Sequence, residues 1–167
     1  MDWDVYYLKI AKTVAENSKC FSRKIGAVLV RENRIIATGY NGPPCSVRPC
    51  DQWAEDESWF AINTTKNPGI CPRRTLGYSS GEGLHICPAA HAERNALISA
   101  ARMGVAVNGS TLYCYCVQVC KDCAIEIINA GVKRIVFLEG TPYDIMADPL
   151  LKEAGIKQTR IPIALID

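Results

Sequence analysis

The chain has 167 residues, of which 49% are hydrophobic and 22% charged, and its formal net charge is +2. Such a length and composition are typical of one globular domain with its own core, and the near-neutral charge argues against a dedicated nucleic-acid binder. No apolar stretch approaches the roughly twenty residues of a membrane span, and the acidic start "MDWDVYYLKIAK" is unlike a secretory signal, so we expect a cytoplasmic protein without nucleic-acid or membrane partners.

The beginning of the chain predicts a helix and a hairpin. Asp2 is a good N-cap for an amphipathic helix over about residues 3 to 18. The stretch "IGAVLVRENRIIATGYNG" then holds two runs rich in Val and Ile around a polar tetrad, which is a hairpin pattern. The segment from about 43 to 88 has no sustained periodicity, contains four cysteines and is longer than a plain loop should be.

From His91 to the end, helices alternate with strands. The first predicted helix runs to about Met103, and the strand "STLYCYC" follows it. A helix from Cys120 to about Ala130 and the strand "RIVFLE" come next. The helix "IMADPLLKEAG" and the strand "IKQTRIPI" end the series. Such alternation predicts parallel pairing with helices over the sheet. With the hairpin it predicts an α/β protein: a three-layer α/β/α sandwich with a mixed five-stranded sheet. We expect one domain over residues 1–167, with 43–88 as a Cys-rich insertion.

Nine cysteines are unusual for an intracellular chain. Because such a chain is kept reduced, clustered cysteines in it bind metal ions more often than they form disulfides. An odd number also cannot pair completely. We therefore expect metal ligands among them.

Two short motifs carry chemistry. In "HAERNAL", His91 is one of only two histidines, and Glu93 follows it at the start of a predicted helix. In "VCKDC", Cys120 and Cys123 stand three apart at the start of another helix, and so share one face. A helix N-terminus lowers the pKa of a thiol, so both sulfurs suit a zinc ion. One His and two Cys leave a fourth position open for water, whose proton Glu93 could take.

Each motif alone has a simpler interpretation. Glu93 could merely complement the positive end of its helix, and the CxxC pair could be a structural zinc pair or a redox pair. The combination is more specific, because both motifs stand at helix starts on either side of a strand. It favours a catalytic site at which two helices meet N-terminus to N-terminus over one edge of the sheet.

The motifs resemble the zinc-dependent cytidine and deoxycytidylate (dCMP) deaminase superfamily, with its H-x-E and P-C-x-x-C signature. Within it the chain is most similar to the dCMP deaminases in "SRKIGAVLVRENRIIATGYNGPP", "HAERNAL" and "CAIEIINAGVKRIVFLEG". The similarity covers most of the chain apart from about residues 51 to 70. Val119 stands where the family normally has proline, which removes a conformational constraint but no ligand.

The resemblance implies hydrolytic deamination of dCMP to dUMP and ammonia, in the supply of dTMP. His91, Cys120 and Cys123 would hold the zinc, and a zinc-activated water would attack C4 of cytosine. Glu93 would take the proton of the water, protonate N3 and later pass a proton to the leaving amine. The resemblance also assigns Asn41 to the sugar and the backbone of Ala92 to the pyrimidine edge.

The phosphate needs cationic or amide donors, and the sequence has no Gly-rich phosphate loop. Arg23 and Lys24, just before the first strand, are the candidates. They could instead be solvated surface charges, and Asn41 could be a turn residue that tolerates left-handed geometry.

The remaining cysteines allow a second metal site. Members of the family with this kind of insertion can carry a structural zinc, which the resemblance assigns to Cys20, Cys50, Cys71 and Cys87, with His85 as an alternate ligand. These residues could also be ordinary buried thiols. Cys114 and Cys116 alternate to one face of a predicted strand, and we expect both in the core.

The resemblance further suggests a homohexamer regulated by dCTP and dTTP with Mg²⁺. Two alternatives stay open. The chain could deaminate another substrate, such as 5-substituted dCMP or transfer-RNA adenosine, although a near-neutral charge disfavours nucleic-acid substrates. It could also be a non-catalytic zinc-binding regulatory module, against which the presence of the non-ligand Glu93 speaks.

Overall fold

The computed structural model describes residues 2–55 and 70–166, and only the backbone of 53–55. The part of the predicted insertion from 56 to 69 lies outside the described residues. The helices are α1 (Trp3–Ala15), α2 (Pro72–Thr75), α3 (Ala92–Arg102), α4 (Lys121–Asn129) and α5 (Ala147–Glu153). The strands are β1 (Gly26–Arg31), β2 (Arg34–Tyr40), β3 (Thr111–Cys114), β4 (Arg134–Leu138) and β5 (Lys157–Ile161).

Two predicted elements end earlier than expected. Helix α1 stops at Ala15 rather than near residue 18, because the next N–H groups turn back to carbonyls three residues earlier. Asp2 caps this helix as predicted, since its side chain accepts from the Asp4 N–H at 2.8 Å. Strand β3 stops at Cys114, because the Cys116 N–H turns back to the Cys114 carbonyl at 2.8 Å.

The five strands form one mixed sheet in the order β2-β1-β3-β4-β5. Strand β1 is antiparallel to both β2 and β3, whereas β3, β4 and β5 run parallel. The predicted mixed five-stranded sheet is therefore confirmed. In this topology β2, β3 and β4 all end at the edge of the sheet where β1 begins.

Helices cover both faces of the sheet. Successive strand residues point to opposite faces, so the core divides into two clusters. On one face α1 packs against a cluster that includes Val28, Tyr113, Val136 and Leu138. On the other face α3, α4 and α5 pack against a cluster that includes Leu29, Leu112, Ile135 and Phe137. This is the predicted three-layer α/β/α arrangement.

Two glycines let helices approach the sheet closely. A side chain at Gly26 would meet the Ala11 carbonyl oxygen at 2.0 Å, and one at Gly39 would meet the Ala92 carbonyl oxygen at 2.3 Å. The backbones of α1 and α3 therefore lie directly against β1 and β2. Within residues 2–55 and 70–166, no helix combines the length and the apolar character that crossing a membrane requires.

Candidate active site

The candidate site lies at the edge of the sheet where β2 and β3 end and β1 begins. Helices α3 and α4 both start there, as the two motifs predict. An isolated bridge between Gly42 and Ala90 ties the chain before α3 to the end of β2. Arg94 and Glu126 join the two helices by two contacts of 2.9 Å, one a hydrogen bond and one an ion pair. The two helix N-termini are thus held beside one another.

The three predicted zinc ligands converge at this point. His91 Nδ1 lies 3.3 Å from the Cys120 sulfur and 3.3 Å from the Cys123 sulfur. His91 and Cys120 are the N-cap residues of α3 and α4, and neither side chain is used as a helix cap. The imidazole of His91 and the thiol of Cys120 are therefore available as metal ligands. One imidazole and two thiols at these separations suit a tetrahedral Zn²⁺, with a position left for water or substrate.

The thiols and the imidazole are electrostatically coupled. Interaction with the Cys123 side chain, together with His91, lowers the pKa of the Cys120 thiol to about 4. The same interaction and burial raise the pKa of Cys123. The hydrogen bond to Cys120 also raises the pKa of His91. A thiol must lose its proton to bind Zn²⁺, and the lowered pKa of Cys120 favours that loss.

A cavity lies at this edge of the sheet. Glu93, in the first turn of α3, borders it together with His91. Its side chain is only 3% exposed, and burial raises its pKa. It makes no ion pair with the side chains that the structure describes. A buried carboxyl with a raised pKa, beside a set of metal ligands, is suited to taking up and releasing a proton.

Cys116 borders this cavity, which the sequence did not predict. The prediction that Cys114 is a core residue is confirmed, and Cys116 is partly buried against the same core cluster. Because β3 ends before Cys116 and the chain turns, Cys116 also borders the cavity. Its thiol donates to the Cys114 sulfur at 3.0 Å, and both sulfurs lie within 4.8 Å of a Glu93 carboxylate oxygen. Two thiols therefore lie next to the predicted proton carrier.

Asn41 borders the cavity just after β2. Its Oδ1 accepts from the Ile25 N–H at 2.8 Å and the Ser18 hydroxyl at 2.6 Å, and its Nδ2 donates to the Arg23 carbonyl at 2.8 Å. One N–H of the amide is left for a ligand. Asn41 is absent from the described non-glycine residues with positive φ, so left-handed geometry is not the reason for an asparagine here.

The structure separates the two predicted phosphate ligands. Arg23 borders the cavity. Lys24 does not, and its Nζ lies 3.5 Å from the Glu16 carbonyl oxygen, at the end of α1. Ala92, the residue assigned to the pyrimidine edge, is fully buried at the start of α3 against Gly39.

Three of the cysteines assigned to a second zinc lie near the fourth, Cys50, but the four sulfurs do not form a closed cluster. Burial and then the nearby Cys71, Cys20 and Cys87 raise the pKa of Cys50 to about 12. Among the described residues, no three of these four sulfurs lie within 4.8 Å of one another. The alternate ligand His85 packs edge-on against Tyr78, with the ring centroids 6.3 Å apart.

Two further residues at the cavity were missed from sequence. Arg73 comes from α2, inside the segment that lacked periodicity, and Tyr143 comes from the loop after β4. Tyr143 also borders a smaller pocket next to the metal ligands, together with His91 and Cys120. No spacing pattern in the sequence links either residue to the two motifs.

The chain is similar to one protein family and to several individual proteins. The sequence model described as "Cytidine and deoxycytidylate deaminase zinc-binding region" matches residues 1–139. The deoxycytidylate deaminase of Enterobacteria phage T2 is 35% identical over 173 aligned residues, which cover 93% of this chain and 90% of the phage protein. That of Schizosaccharomyces pombe is 37% identical, over 93% of this chain but 42% of the yeast protein. The chain thus spans about two fifths of the length of that relative.

Solved structures agree with these similarities. The apo dCMP deaminase of cyanophage S-TIM5 superposes with a TM-score of 0.65 at 25% identity, over 95% of this chain and 96% of the other. The structure of the same phage enzyme in complex with dCMP and dUMP gives a TM-score of 0.63 at 27% identity, over 93% and 94% of the two chains.

Proposed function

Because the chain belongs to the cytidine and deoxycytidylate deaminase family, we propose that it hydrolyses dCMP to dUMP and ammonia. The observation that carries the proposal is the convergence of His91, Cys120 and Cys123 on one point, with Glu93 buried at the cavity that His91 borders. We treat residues 1–167 as one deaminase-type domain. Deoxycytidylate deaminases and a complex with dCMP and dUMP among the similar proteins support this choice of substrate.

Zn²⁺ is the metal that fits this donor set. When bound, it supplies Lewis-acid activation of a water molecule at its open position. His91, Cys120 and Cys123 would hold it, and the two thiolates would offset most of its charge. A nearby carboxylate is then needed to accept the proton of the water, and Glu93 is the buried carboxyl available for this.

Glu93 carries the protons through the reaction. It takes one proton from the attacking water and delivers it to N3 of cytosine, while the water oxygen forms its bond to C4. Glu93 next takes the remaining hydroxyl proton and passes it to the amino group, and the C4–N4 bond breaks. One dCMP and one water thereby give one dUMP and one ammonia.

Three of the remaining assignments concern the rest of the nucleotide. We assign Asn41 to the sugar, because one N–H of its otherwise engaged amide is left for a ligand. We assign the backbone of Ala92 to the pyrimidine edge. We assign Arg23 and Lys24 to the phosphate. Arg23 borders the cavity, whereas Lys24 lies outside it and would contribute only its charge.

Turnover assays with a Glu93→Ala variant test the proposal. Purified protein is incubated with dCMP, deoxycytidine, dCTP and 5-methyl-dCMP, and the loss of cytosine absorbance is followed. We expect turnover of dCMP that disappears in the variant while its zinc content stays at the wild-type level. Turnover of 5-methyl-dCMP in preference to dCMP would indicate a substituted nucleotide as the substrate. No turnover of any substrate by the zinc-loaded protein would favour a regulatory module.

We also propose a second, structural zinc held by Cys20, Cys50, Cys71 and Cys87, with His85 as the alternate ligand. The supporting observation is that the other three cysteines lie near Cys50. The sulfurs would have to close on the ion by a local rearrangement. Metal analysis should give two zinc ions per chain, and one in the Cys50→Ser variant. One zinc in the wild type would exclude this site.

The regulatory and cellular assignments rest on the family resemblance. They are regulation by dCTP and dTTP with Mg²⁺, a homohexamer, and action in the cytoplasm to supply dTMP synthesis. Titrating dCTP and dTTP into the assay, and light scattering of the purified protein, test the first two. A rate of dCMP hydrolysis that does not change with either nucleotide would contradict the proposed regulation.

A further inference from the structure

Arg73 is a buried cation at the cavity of the candidate active site. Among the side chains that the structure describes, Arg73 and Glu93 are the two buried members of the Asp, Glu, Lys and Arg set, with exposures of 6% and 3%. Both border the same cavity. Burial of a charged group is costly in free energy unless a partner of opposite charge compensates it. We therefore expect an anionic group to bind Arg73.

The described residues do not supply that charge. One terminal nitrogen of the Arg73 guanidinium donates to the Glu82 carbonyl, and Nε has no hydrogen-bond partner among the described residues. No carboxylate of the described residues forms an ion pair with it. Within the described part of the chain, the guanidinium is therefore held in place by a neutral group and has further N–H donors for a ligand.

The charges around the cavity favour an anion. Arg73 and Arg23 are both at its border, and Glu93 is the only carboxyl there among the described residues. Guanidinium groups bind phosphate through paired N–H donors, so two arginines suit a phosphate better than they suit a neutral group.

One wall of the cavity connects the metal centre with Arg73. It begins at Tyr143, which also borders the smaller pocket next to the metal ligands. The Tyr143 ring packs on Gly81, where an added Cβ would lie 2.7 Å from the ring and the backbone has φ +85°. The next residue, Glu82, presents the carbonyl that accepts from Arg73. The Tyr143 ring and the loop with Gly81 and Glu82 thus separate Arg73 from the metal ligands. In a nucleotide, the sugar likewise separates the phosphate from the base.

We propose that Arg73 binds the 5′-phosphate of the nucleotide, with Arg23 as a second cation, and makes the site select a nucleoside monophosphate over a nucleoside. This inference rests on the proposed function, since it takes the base to lie at the metal centre. It replaces Lys24, which lies outside the cavity, with a residue from the Cys-rich segment. That segment would then contribute directly to substrate specificity.

The test compares Arg73→Gln with Arg74→Gln. Arg74 is the neighbouring, exposed arginine of α2, and it does not border the cavity. Its side chain donates to the Tyr78 carbonyl at 3.2 Å, so it is a matched control. For Arg73→Gln we expect the ratio of kcat/KM for dCMP to that for deoxycytidine to fall by about ten- to a hundredfold, as for loss of a hydrogen bond to a charged group. The loss should appear mainly in KM, and Arg74→Gln should keep the wild-type ratio.

A binding measurement separates this inference from the proposed function. Calorimetry of the zinc-loaded protein with dUMP and with deoxyuridine needs no turnover. We expect the wild type to bind dUMP more tightly, and Arg73→Gln to lose most of that preference. If dCMP is turned over but Arg73→Gln keeps both ratios, the inference is wrong and the proposed function stands. If no substrate is turned over, the binding preference alone decides: its loss in Arg73→Gln supports the inference, and its absence in the wild type overturns it.

Folding of the variant is controlled separately. Arg73 also holds the Glu82 carbonyl, so Arg73→Gln could fail to fold. In that case Arg73→Lys, which keeps the charge but not the paired donors, is measured in the same two experiments. A reduced preference for the phosphate-bearing ligand in this variant supports the inference, and an undiminished preference overturns it.

Discussion

At the residue scale, the burial of the Glu93 carboxyl favours a chemical role over a structural one. Glu93 forms no ion pair with the described residues, and burial raises its pKa. If it merely complemented the helix N-terminus, an exposed position in the first turn would serve as well. Its location in the cavity with His91 favours a role in proton transfer.

The pH dependence of turnover should follow the ionisation of the Glu93 carboxyl. Glu93 must be ionised to accept a proton, and its pKa is raised. Activity is therefore expected to fall as the pH decreases through a value above that of an exposed glutamate. The measurement is kcat/KM for dCMP against pH, with zinc content checked at each point. An acid limb at or below the pKa of an exposed glutamate, with zinc still bound, would contradict this assignment.

At the scale of elements, the start of α4 depends on a distant side chain. Cys120, its N-cap residue, makes no side-chain cap. Instead the Asp144 carboxylate, from the loop before α5, accepts from the Lys121 N–H at 2.7 Å and the Met146 N–H at 2.9 Å. Burial alone would raise the pKa of Asp144, but these bonds outweigh it and the pKa is lowered. Asp144 thereby helps to place both cysteine ligands.

Removal of this cap should weaken the metal centre. Asp144→Ala is expected to lower the free energy of unfolding by about 1 kcal/mol, the usual value of a helix cap, and to lower zinc affinity. Asp144→Asn keeps an acceptor oxygen and should lose less. Because the folded pKa of Asp144 is lowered, its charge-dependent contribution is present above the pKa of an unfolded aspartate. It is lost as the pH falls through the lowered value. Equal zinc affinity in wild type and Asp144→Ala would show that the cap does not support the site.

Helix α3 is positioned by the absence of a side chain on β2. A Cβ at Gly39 would lie 2.3 Å from both the Ala92 carbonyl oxygen and the Ala96 nitrogen. Gly39→Ala must therefore push α3, with His91 and Glu93, away from the sheet. We expect a loss of several kcal/mol in the free energy of unfolding, as for overpacking of a core, together with loss of zinc.

Gly155→Ala is the control for this substitution. Gly155 has φ +69° and nothing within 4 Å of an added Cβ, so only backbone strain of roughly 1 kcal/mol is expected there. Denaturant unfolding and metal analysis of both variants make the comparison. Similar losses in the two variants would mean that the close approach of α3 to β2 does not control its position.

At the scale of the whole molecule, the site joins segments that are far apart in the chain. The metal ligands come from two helix starts, Asn41 from the end of β2 and Tyr143 from the loop after β4. A metal ion that binds all three of its ligands would favour the folded state over the unfolded chain. The metal centre should therefore stabilise the fold as well as serve the reaction.

Removal of zinc should lower stability and abolish turnover together. A chelator is expected to decrease the Tm and to stop hydrolysis of dCMP, and added Zn²⁺ should restore both. The decrease in Tm should be smaller in a Cys123→Ser variant, which lacks one ligand of this centre, and should then reflect only the proposed second zinc. A Tm that does not change on complete removal of zinc would contradict a structural contribution of the metal.

The sequence by itself determined the elements and the two chemical motifs. Periodicity and cap residues predicted the order of helices and strands, because these patterns follow from local geometry. Spacing alone placed Cys120 and Cys123 on one face of a helix, and the combination with His91 and Glu93 predicted the site. The boundaries of α1 and β3 were less accurate, since a tight turn at Cys116 leaves no mark in the strand pattern.

Only the tertiary structure decided which other residues reach the site. Arg23 and Lys24 are adjacent in sequence, yet one borders the cavity and the other turns to the end of α1. Arg73 lies in a segment without periodicity and becomes a buried cation only when the chain folds over it. Burial and long-range proximity depend on how distant segments pack against one another, and no local pattern of residues carries that information.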